Sequence, residues 1–191
     1  MNYMVLVNKE HVLKKDLDLD LINVGKNSDN EDVYLERKAG KALLRMLDDV
    51  NGIYGKNHVV VSSGYRSFKV QQDVLDYYIN IEGEKAYSRV ALPGESEHHT
   101  GLGIDVGIFK DNVYEDDPTG DEPELKWMFD NAYKYGFILR YPKGKEKITG
   151  YRYEPWHFRY VGSAEKALLI KQSGLTLDEY VFQFELANVK N

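Results

Sequence analysis

Two short segments of this chain carry histidines and carboxylates at spacings that suit a metal centre. The first contains His98 and Asp105, and the second contains Glu154 and His157. Catalytic zinc takes three protein ligands, from imidazole, thiolate or carboxylate groups, and leaves its fourth position to water. His98, Asp105 and His157 supply that number, and water at such a site ionises near neutral pH. The residues therefore predict a zinc centre able to hydrolyse an amide bond.

Amide hydrolysis also needs groups that the metal does not bind. A second carboxylate must take the proton of the attacking water and pass it to the leaving amine. Glu154 is predicted for this role because only Pro155 and Trp156 separate it from His157. Arg66 is predicted to hold the oxygen of the scissile carbonyl as it becomes an anion. A plain salt bridge is the alternative for Arg66.

Each candidate ligand also has an ordinary alternative. A histidine in a globular protein is usually a surface or core side chain, and we expect His11 and His58 to be of that kind. His99 adjoins His98, but adjacent side chains on an extended chain point apart, so we do not expect His99 as a ligand. Asp105 is harder to explain without a metal, because a lone buried carboxylate is costly unless it is paired.

Local patterns place these residues on strands. Residues 102–109 alternate in polarity, and the glycines beside Asp105 leave room on its face of the strand. The segment 156–161 has the composition of a second strand. Residues three apart lie on opposite faces of a regular strand, so Glu154 needs a bend at Pro155 to reach the side of His157. The apolar face of the first strand is predicted to carry Leu102, Ile104, Val106 and Ile108.

In combination, these motifs resemble the VanX/VanY-type D,D-peptidases, zinc enzymes that remove D-alanine from cell-wall precursors. The resemblance covers most of residues 60–162 and is strongest to the bifunctional VanXY branch of glycopeptide-resistant bacteria. It is carried by Tyr65-Arg66-Ser67, Ala91-Leu92-Pro93-Gly94, Ser96-x-His98-x-x-Gly101-x-x-x-Asp105, Gly136–Pro142 and Glu154-Pro155-Trp156-His157.

The resemblance implies Zn²⁺ as cofactor, with the three ligands, the base and the arginine in the roles already given. Gln71 and Ser96 match polar positions that the relatives use near the substrate. The implied fold is α+β, with a central, mainly antiparallel sheet and flanking helices, as in the D,D-peptidase and hedgehog-like zinc peptidases. The relatives commonly have alanine at the position of Gly103, so the missing methyl group is expected to widen the cleft.

Length and composition limit the possible domain organisation, binding partners and cellular location. A chain of 191 residues can bury a sizeable core, and we expect one domain over residues 1–191. The net charge of −6 disfavours nucleic acid as a partner. The absence of cysteine excludes disulfides and thiol catalysis. Neither a signal peptide nor a membrane-spanning segment is recognisable, so we expect a cytoplasmic enzyme without membrane insertion.

Periodicity predicts the other elements. The apolar run at residues 3–7 indicates a short strand, and residues 110–123 indicate a loop that either gates the substrate or is simply solvated. Two helices end the chain, the last opened by a capping box from Thr176 to Glu179. The second predicted helix should bury Val70, Val74, Leu75 and Tyr78. Further helices are predicted at 37–50, 68–82 and 124–135, and further strands at 58–63 and 137–141.

Three functions remain open at this point. The first is hydrolysis of the dipeptide D-Ala-D-Ala and of the last D-Ala of the muramyl pentapeptide precursor. The second is an L,D-carboxypeptidase that acts on the tetrapeptide, since related zinc folds use the same core motif. The third is a zinc-bearing binding module without catalysis, against which the presence of Glu154 and Arg66 argues.

Overall fold

The computed structural model describes residues 2–110 and 113–189, with residues 88 and 184–189 described by their backbone alone. Short 3₁₀ segments lie at Gly83–Ser88, Glu97–Thr100 and Ala132–Tyr135. The strands are β1 Leu21–Lys26, β2 Asp32–Glu36, β3 Val59–Ser63, β4 Gly103–Lys110, β5 Val113–Glu115, β6 Phe137–Tyr141 and β7 Glu154–Tyr160. The α-helices are α1 Arg37–Tyr54, α2 Phe68–Glu82, α3 Pro123–Asn131, α4 Glu146–Thr149, α5 Ala164–Ser173 and α6 Leu177–Val189.

The central sheet is antiparallel. Its strands run in the order β3-β4-β7-β6, and short β5 pairs with the end of β4. Strands β1 and β2 form a separate antiparallel pair. The predicted α+β fold with a central, mainly antiparallel sheet and flanking helices is therefore confirmed.

The main core lies between the apolar face of β4 and helix α1. Helix α1 begins after Glu36, whose carboxylate accepts hydrogen bonds from the backbone N–H groups of Lys38 and Ala39. The apolar side chains predicted for the two elements are all buried, and full burial of one such side chain contributes about 1.5–3 kcal/mol. They are Leu102 just before β4, Ile104, Val106 and Ile108 along it, and Leu43, Met46, Leu47 and Val50 on α1.

The predicted strand near the N-terminus is wrong. Residues 2–20 contain no strand, and the carbonyl groups of Tyr3 and Val5 instead accept hydrogen bonds from the Arg159 guanidinium, at 3.1 and 2.7 Å. A backbone bonded to a buried side chain in this way does not need a neighbouring strand. The β1–β2 pair, which the sequence reading did not predict, follows this segment.

The predicted loop at 110–123 is also more ordered than expected, although residues 111 and 112 lie outside the described residues. Strand β5 pairs with β4 inside this segment. Asp116 accepts hydrogen bonds from Ser62 and from the Tyr114 hydroxyl, which connect the segment to β3 and to β5. The helix predicted at 124–135 has an α-helical part that ends at Asn131 and continues as a 3₁₀ turn.

Helix α2 has the predicted bounds, and most of its predicted inner face is correct. Leu75 is buried, and Val74 and Tyr78 are half-buried, but Val70 is 45% exposed and its neighbour Gln71 is 1% exposed. The prediction failed at Val70 because it assigned only apolar side chains to the inner face. A buried amide requires polar partners, which points to a polar site beneath α2.

The capping box of α6 is confirmed. The N–H of Thr176 donates to the Glu179 carboxylate at 2.8 Å, and the N–H of Glu179 donates to the Thr176 hydroxyl at 3.1 Å. Across the described residues, we find no helix with the length and apolar character needed to cross a bilayer.

Replacement of Ile104 by alanine should lower the free energy of unfolding by about 2–5 kcal/mol, because the side chain is fully buried behind Asp105. Chemical denaturation measures this loss. Ile53→Ala is the matched control, since Ile53 is 59% exposed on α1 and its replacement should have little effect. Equal losses in the two variants would contradict the assignment of the core.

Candidate active site

Three of the predicted site residues converge on one side of the sheet. Asp105 on β4 and His157 on β7 are direct cross-strand partners. His98 approaches them from the 3₁₀ turn Glu97–Thr100. One potential ligand atom from each residue lies within 4.8 Å of those of the other two. Antiparallel pairing thus brings together residues that are far apart in the sequence.

The ring nitrogens of the two histidines have different neighbours. Nδ1 of His98 lies 2.6 Å from the carbonyl oxygen of Gly64 and donates to it, which leaves Nε2 facing Asp105 Oδ2 at 3.1 Å. Nδ1 of His157 lies 2.8 Å from Asp105 Oδ1. The expected donor atoms are therefore His98 Nε2, His157 Nδ1 and the carboxylate oxygens of Asp105.

The arrangement fits a zinc ion. Asp105 Oδ1 is buried and has no hydrogen-bond partner among the described residues, although His157 Nδ1 is 2.8 Å away. A shared cation requires ligand atoms that lie this close together, and these two atoms do so without forming a hydrogen bond to each other. Two imidazoles and one carboxylate also form a known donor set of catalytic zinc.

Burial and neighbouring charges set the protonation of these ligands. Burial, together with Arg66, lowers the pKa of His98 to about 4, so its ring is neutral at neutral pH. Burial would lower the pKa of His157 as well, but the adjacent Asp105 carboxylate outweighs it and raises the value to about 9. The two histidines hold the pKa of Asp105 well below its usual value, against the effect of burial. A cation at the cluster would compete with the proton of His157.

Glu154 lies beside the cluster, with Oε2 3.9 Å from His157 Nδ1. β7 begins at Glu154 itself, so the strand does not start after Pro155 as predicted. The predicted departure from a regular strand is nevertheless present, because Leu139 pairs with Phe158 and Tyr141 with Glu154, which leaves two extra residues in β7 between Glu154 and Phe158. Such irregularities redirect side chains out of the regular pleat. Burial raises the pKa of Glu154 to about 7, which suits a proton acceptor at neutral pH.

Arg66 approaches the same space from the turn after β3. Its backbone N–H donates to the carbonyl oxygen of His98 at 3.2 Å, which ties the turn to the ligand segment. Its side-chain Nε is buried and has no hydrogen-bond partner in the described part of the chain. Asp105 and Glu154 partly offset the lowering of its pKa by burial. A donor held here without a partner is available to a substrate oxygen.

These groups line one cavity of about 210 Å³. Both predicted substrate contacts, Gln71 and Ser96, lie in its wall. Nε2 of Gln71 donates to the carbonyl oxygen of Ala91 at 2.8 Å, while its Oε1 has no partner within residues 2–110 and 113–189. Ser96 caps the 3₁₀ turn by accepting the N–H of His98. The cavity therefore offers both an acceptor and a donor to a ligand.

The other histidines lie outside the cluster. His99 uses both ring nitrogens, since Nε2 accepts the N–H of Gly94 at 2.9 Å and Nδ1 lies 2.7 Å from the carbonyl oxygen of Arg66. It points away from His98 on a 3₁₀ turn, not on the extended chain that the sequence reading assumed. His58 pairs with Glu124, and His11 contacts Asn8 near the surface.

Comparison with known proteins agrees with this geometry. The family model described as "VanY: D-alanyl-D-alanine carboxypeptidase" matches residues 32–163. The chain belongs to this family. It is 40% identical over 185 residues to the putative carboxypeptidase YodJ of Bacillus subtilis, covering 94% of this chain and 67% of that protein. It is 39% identical to the bifunctional dipeptidase and carboxypeptidase VanXYC of Enterococcus gallinarum, covering 94% of each.

Solved structures of VanY-family relatives have the same fold. The LdcB LD-carboxypeptidase aligns with a TM-score of 0.81 and 40% identity, covering 94% of this chain and 86% of that one. The D,D-dipeptidase VanXYg, in complex with a phosphinate analogue of D-Ala-D-Ala, aligns with a TM-score of 0.82 and 32% identity, covering 96% of this chain and 71% of that one. VanY from a VanB-type resistance cassette, in complex with Zn(II), aligns with a TM-score of 0.76 and 31% identity, covering 95% of this chain and 99% of that one.

One buried carboxylate of this VanY-family site was missed in the sequence reading. Glu97 precedes the first ligand, and its Oε1 accepts hydrogen bonds from Arg140 and Arg159 at 2.8 and 2.6 Å. Burial would raise the pKa of Glu97, but the two guanidinium groups hold it well below its usual value. The available signal was the presence of two arginines, Arg140 and Arg159, each placed between large apolar or aromatic residues within a strand.

Gly103 does not have the effect that the sequence suggested. A methyl group at this position would lie 3.2 Å from His157 Nε2 and 3.4 Å from Glu97 Cβ. It would therefore contact the back of the His157 ring and would not narrow the open cleft. The prediction of a wider cleft is wrong, since Gly103 affects the packing behind the His157 ring.

The metal assignment predicts one zinc ion per chain. Alanine at His98, Asp105 or His157 removes one of three ligands and should greatly weaken zinc occupancy after dialysis. Metal analysis of the purified variants measures this, with circular dichroism to establish that each is folded. His11→Ala is the control, because His11 lies outside the cluster. Full zinc retention by His157→Ala would rule out the assignment.

Proposed function

We propose that this protein is a zinc-dependent peptidase that hydrolyses D-Ala-D-Ala and the C-terminal D-Ala of the peptidoglycan precursor pentapeptide. The observation that carries the proposal is the His98–Asp105–His157 cluster, with Glu154 beside it in a cavity. The proposal includes one zinc peptidase domain over residues 1–191, action on cytoplasmic precursors and a contribution to vancomycin-type glycopeptide resistance.

Each group in the cavity has a role in this proposal. A zinc ion held by the three ligands would polarise the scissile carbonyl and acidify a water molecule. Glu154 takes a proton from the attacking water and returns it to the leaving amine, so one carboxylate serves first as base and then as acid. Arg66 donates a hydrogen bond to the carbonyl oxygen as negative charge develops.

The walls of the cavity fit a short peptide. Gln71 Oε1 is an acceptor that lacks a donor among the described residues, and a substrate N–H would supply one. Ser96 adds a hydroxyl group at the cavity wall. Support for the substrate class comes from VanXYg with its D-Ala-D-Ala phosphinate analogue and from VanYB, solved in complex with D-Ala-D-Ala.

An L,D-carboxypeptidase acting on the muramyl tetrapeptide is the second candidate. Its support is the likeness to LdcB, which equals the B. subtilis relative in sequence identity. The two candidates share the zinc chemistry and differ in the residue that precedes the terminal D-Ala. A zinc-bearing module without catalysis is less well supported, because Glu154 and Arg66 both line the cavity.

Glu154→Gln should keep zinc and fold while kcat falls by roughly 10²–10⁴, because the variant lacks its proton acceptor. Arg66→Ala should lower kcat by roughly 10²–10³ through loss of the oxyanion contact. Steady-state kinetics on D-Ala-D-Ala measures both losses. Glu165→Gln, at an exposed position on α5, is the control and should be unaffected. Near-normal turnover in either active-site variant would show that its role is assigned wrongly.

A substrate series tests the proposed specificity. The purified protein should release D-alanine from D-Ala-D-Ala and from the pentapeptide, and a chelator should abolish this release. An ester has no scissile N–H to donate, so kcat/KM for D-Ala-D-lactate should fall by up to about 10⁴. D-Ala-D-Ser only adds a hydroxyl group and should be disfavoured by about 10² at most.

Two results would change the proposal. A higher kcat/KM on the tetrapeptide than on either D-Ala-D-Ala substrate would establish the L,D-carboxypeptidase instead. Equal values on the amide and ester dipeptides would remove the resistance role and leave the zinc chemistry in place.

A further inference from the structure

Two buried polar atoms behind the cluster face each other without a hydrogen bond. Glu97 Oε2 and His157 Nε2 are 3.8 Å apart, and neither has a hydrogen-bond partner among the described residues. A bridging water would need roughly 4.5 Å between them, because its two hydrogen bonds of about 2.8 Å meet near the tetrahedral angle. A shift of roughly 1 Å would instead bring the two atoms into direct hydrogen bonding.

Glu97 is held rigidly in this position. Its Oε1 accepts from both Arg140 and Arg159, which leaves Oε2 directed at His157. Arg140 is fixed in turn by Asp178 at the start of α6. Arg159 is fixed by the carbonyl groups of residues 3 and 5. Both guanidinium groups are fully buried, so the carboxylate has little freedom to turn away.

The His157 ring lies between two carboxylates. On one side, Asp105 Oδ1 is 2.8 Å from Nδ1, and on the other, Glu97 Oε2 is 3.8 Å from Nε2. A neutral imidazole carries one proton, and a metal can bind only the nitrogen without it. Asp105 alone would draw that proton to Nδ1, the nitrogen that faces the cluster. An acceptor behind the ring is needed to hold the proton on Nε2.

From this geometry we infer that Glu97 is a positioning residue for the metal centre. Its Oε2 accepts the Nε2–H of His157, which directs the Nδ1 lone pair toward the cluster and fixes the plane of the ring. The inference rests on the proposed zinc function. Such outer contacts typically change metal affinity by about 10–100-fold when they are removed.

Glu97→Gln tests this role without changing the size of the side chain. The two arginines need an oxygen on their side, so the amide would orient its NH₂ group toward His157. A donor would then face the Nε2–H, and the proton should move to Nδ1. Glu97→Gln combined with Arg159→Met removes one buried charge of each sign and leaves Arg140 paired with Asp178, which limits unfolding.

Glu124→Gln provides a matched control elsewhere in the fold. Glu124 is also buried and also pairs with a histidine, with Oε1 2.7 Å from His58 Nε2. It lies outside the cavity lining. Its loss should affect stability in a similar way but should leave zinc binding unchanged.

Zinc dissociation constants from chelator competition should rise about 10–100-fold in both Glu97 variants and stay unchanged in Glu124→Gln. In ¹H–¹⁵N NMR of the zinc-loaded proteins, the Nε2–H of His157 should resonate downfield in the wild type, where Glu97 accepts it, and should lose this hydrogen-bond shift in Glu97→Gln. The same Nε2–H shift in both proteins, or an unchanged dissociation constant in a folded Glu97 variant, would overturn the inference. Failure of the wild type to bind zinc would instead refute the proposed function, and the inference with it.

Discussion

The pairing of β4 with β7 is the interaction on which the rest of the site depends. Asp105 and His157 lie opposite each other in that ladder, so their side chains leave the sheet on the same face. A slip of one residue would turn one of them toward the opposite face, because side chains alternate along a strand. Burial of Ile104 and Phe158, which also pair across the two strands, opposes such a slip. The apolar core thus fixes the register of polar residues on the other side.

The polar side of the sheet is stable because its buried charges compensate each other. Glu97 faces Arg140 and Arg159, and Asp178 completes a group with two charges of each sign. An unpaired ion in this position would be strongly destabilising, whereas a hydrogen-bonded group is tolerated. The same contacts attach residues 3–5 and the start of α6 to the sheet. Chain segments far from the cavity therefore contribute to its geometry.

The residues around the cavity come from two parts of the fold, the central sheet with its adjoining 3₁₀ turn and the β3–α2 region. The cluster residues come from paired strands and a short 3₁₀ turn, while Arg66 and Gln71 come from the β3–α2 turn and α2. Each of the two has one group bonded to the protein, the backbone N–H in Arg66 and the side-chain NH₂ in Gln71. Each also keeps one buried side-chain atom unpaired within the described residues. This division holds the side chains in place and leaves hydrogen-bonding capacity for a ligand.

The sequence by itself determined the elements with strong periodicity and the residue types of the site. The alternation at 102–109, the helix predicted at 37–50 and the capping box at Thr176 depend on neighbours within a few positions, which is why they could be predicted. The motif around His98 also contained enough information to indicate the family. Local patterns of this kind are readable because they express the preferences of one segment alone.

Only the tertiary structure decided how distant segments meet. The N-terminal run looked like a strand, yet its carbonyl groups bind Arg159, more than 150 residues away. Gln71 proved to be the buried residue of its helix turn because a polar cavity lies beneath it. The orientation of the Glu97 carboxylate depends on Arg140 from β6 and Arg159 from β7. Such contacts are set by packing between elements, and no spacing within one segment specifies them.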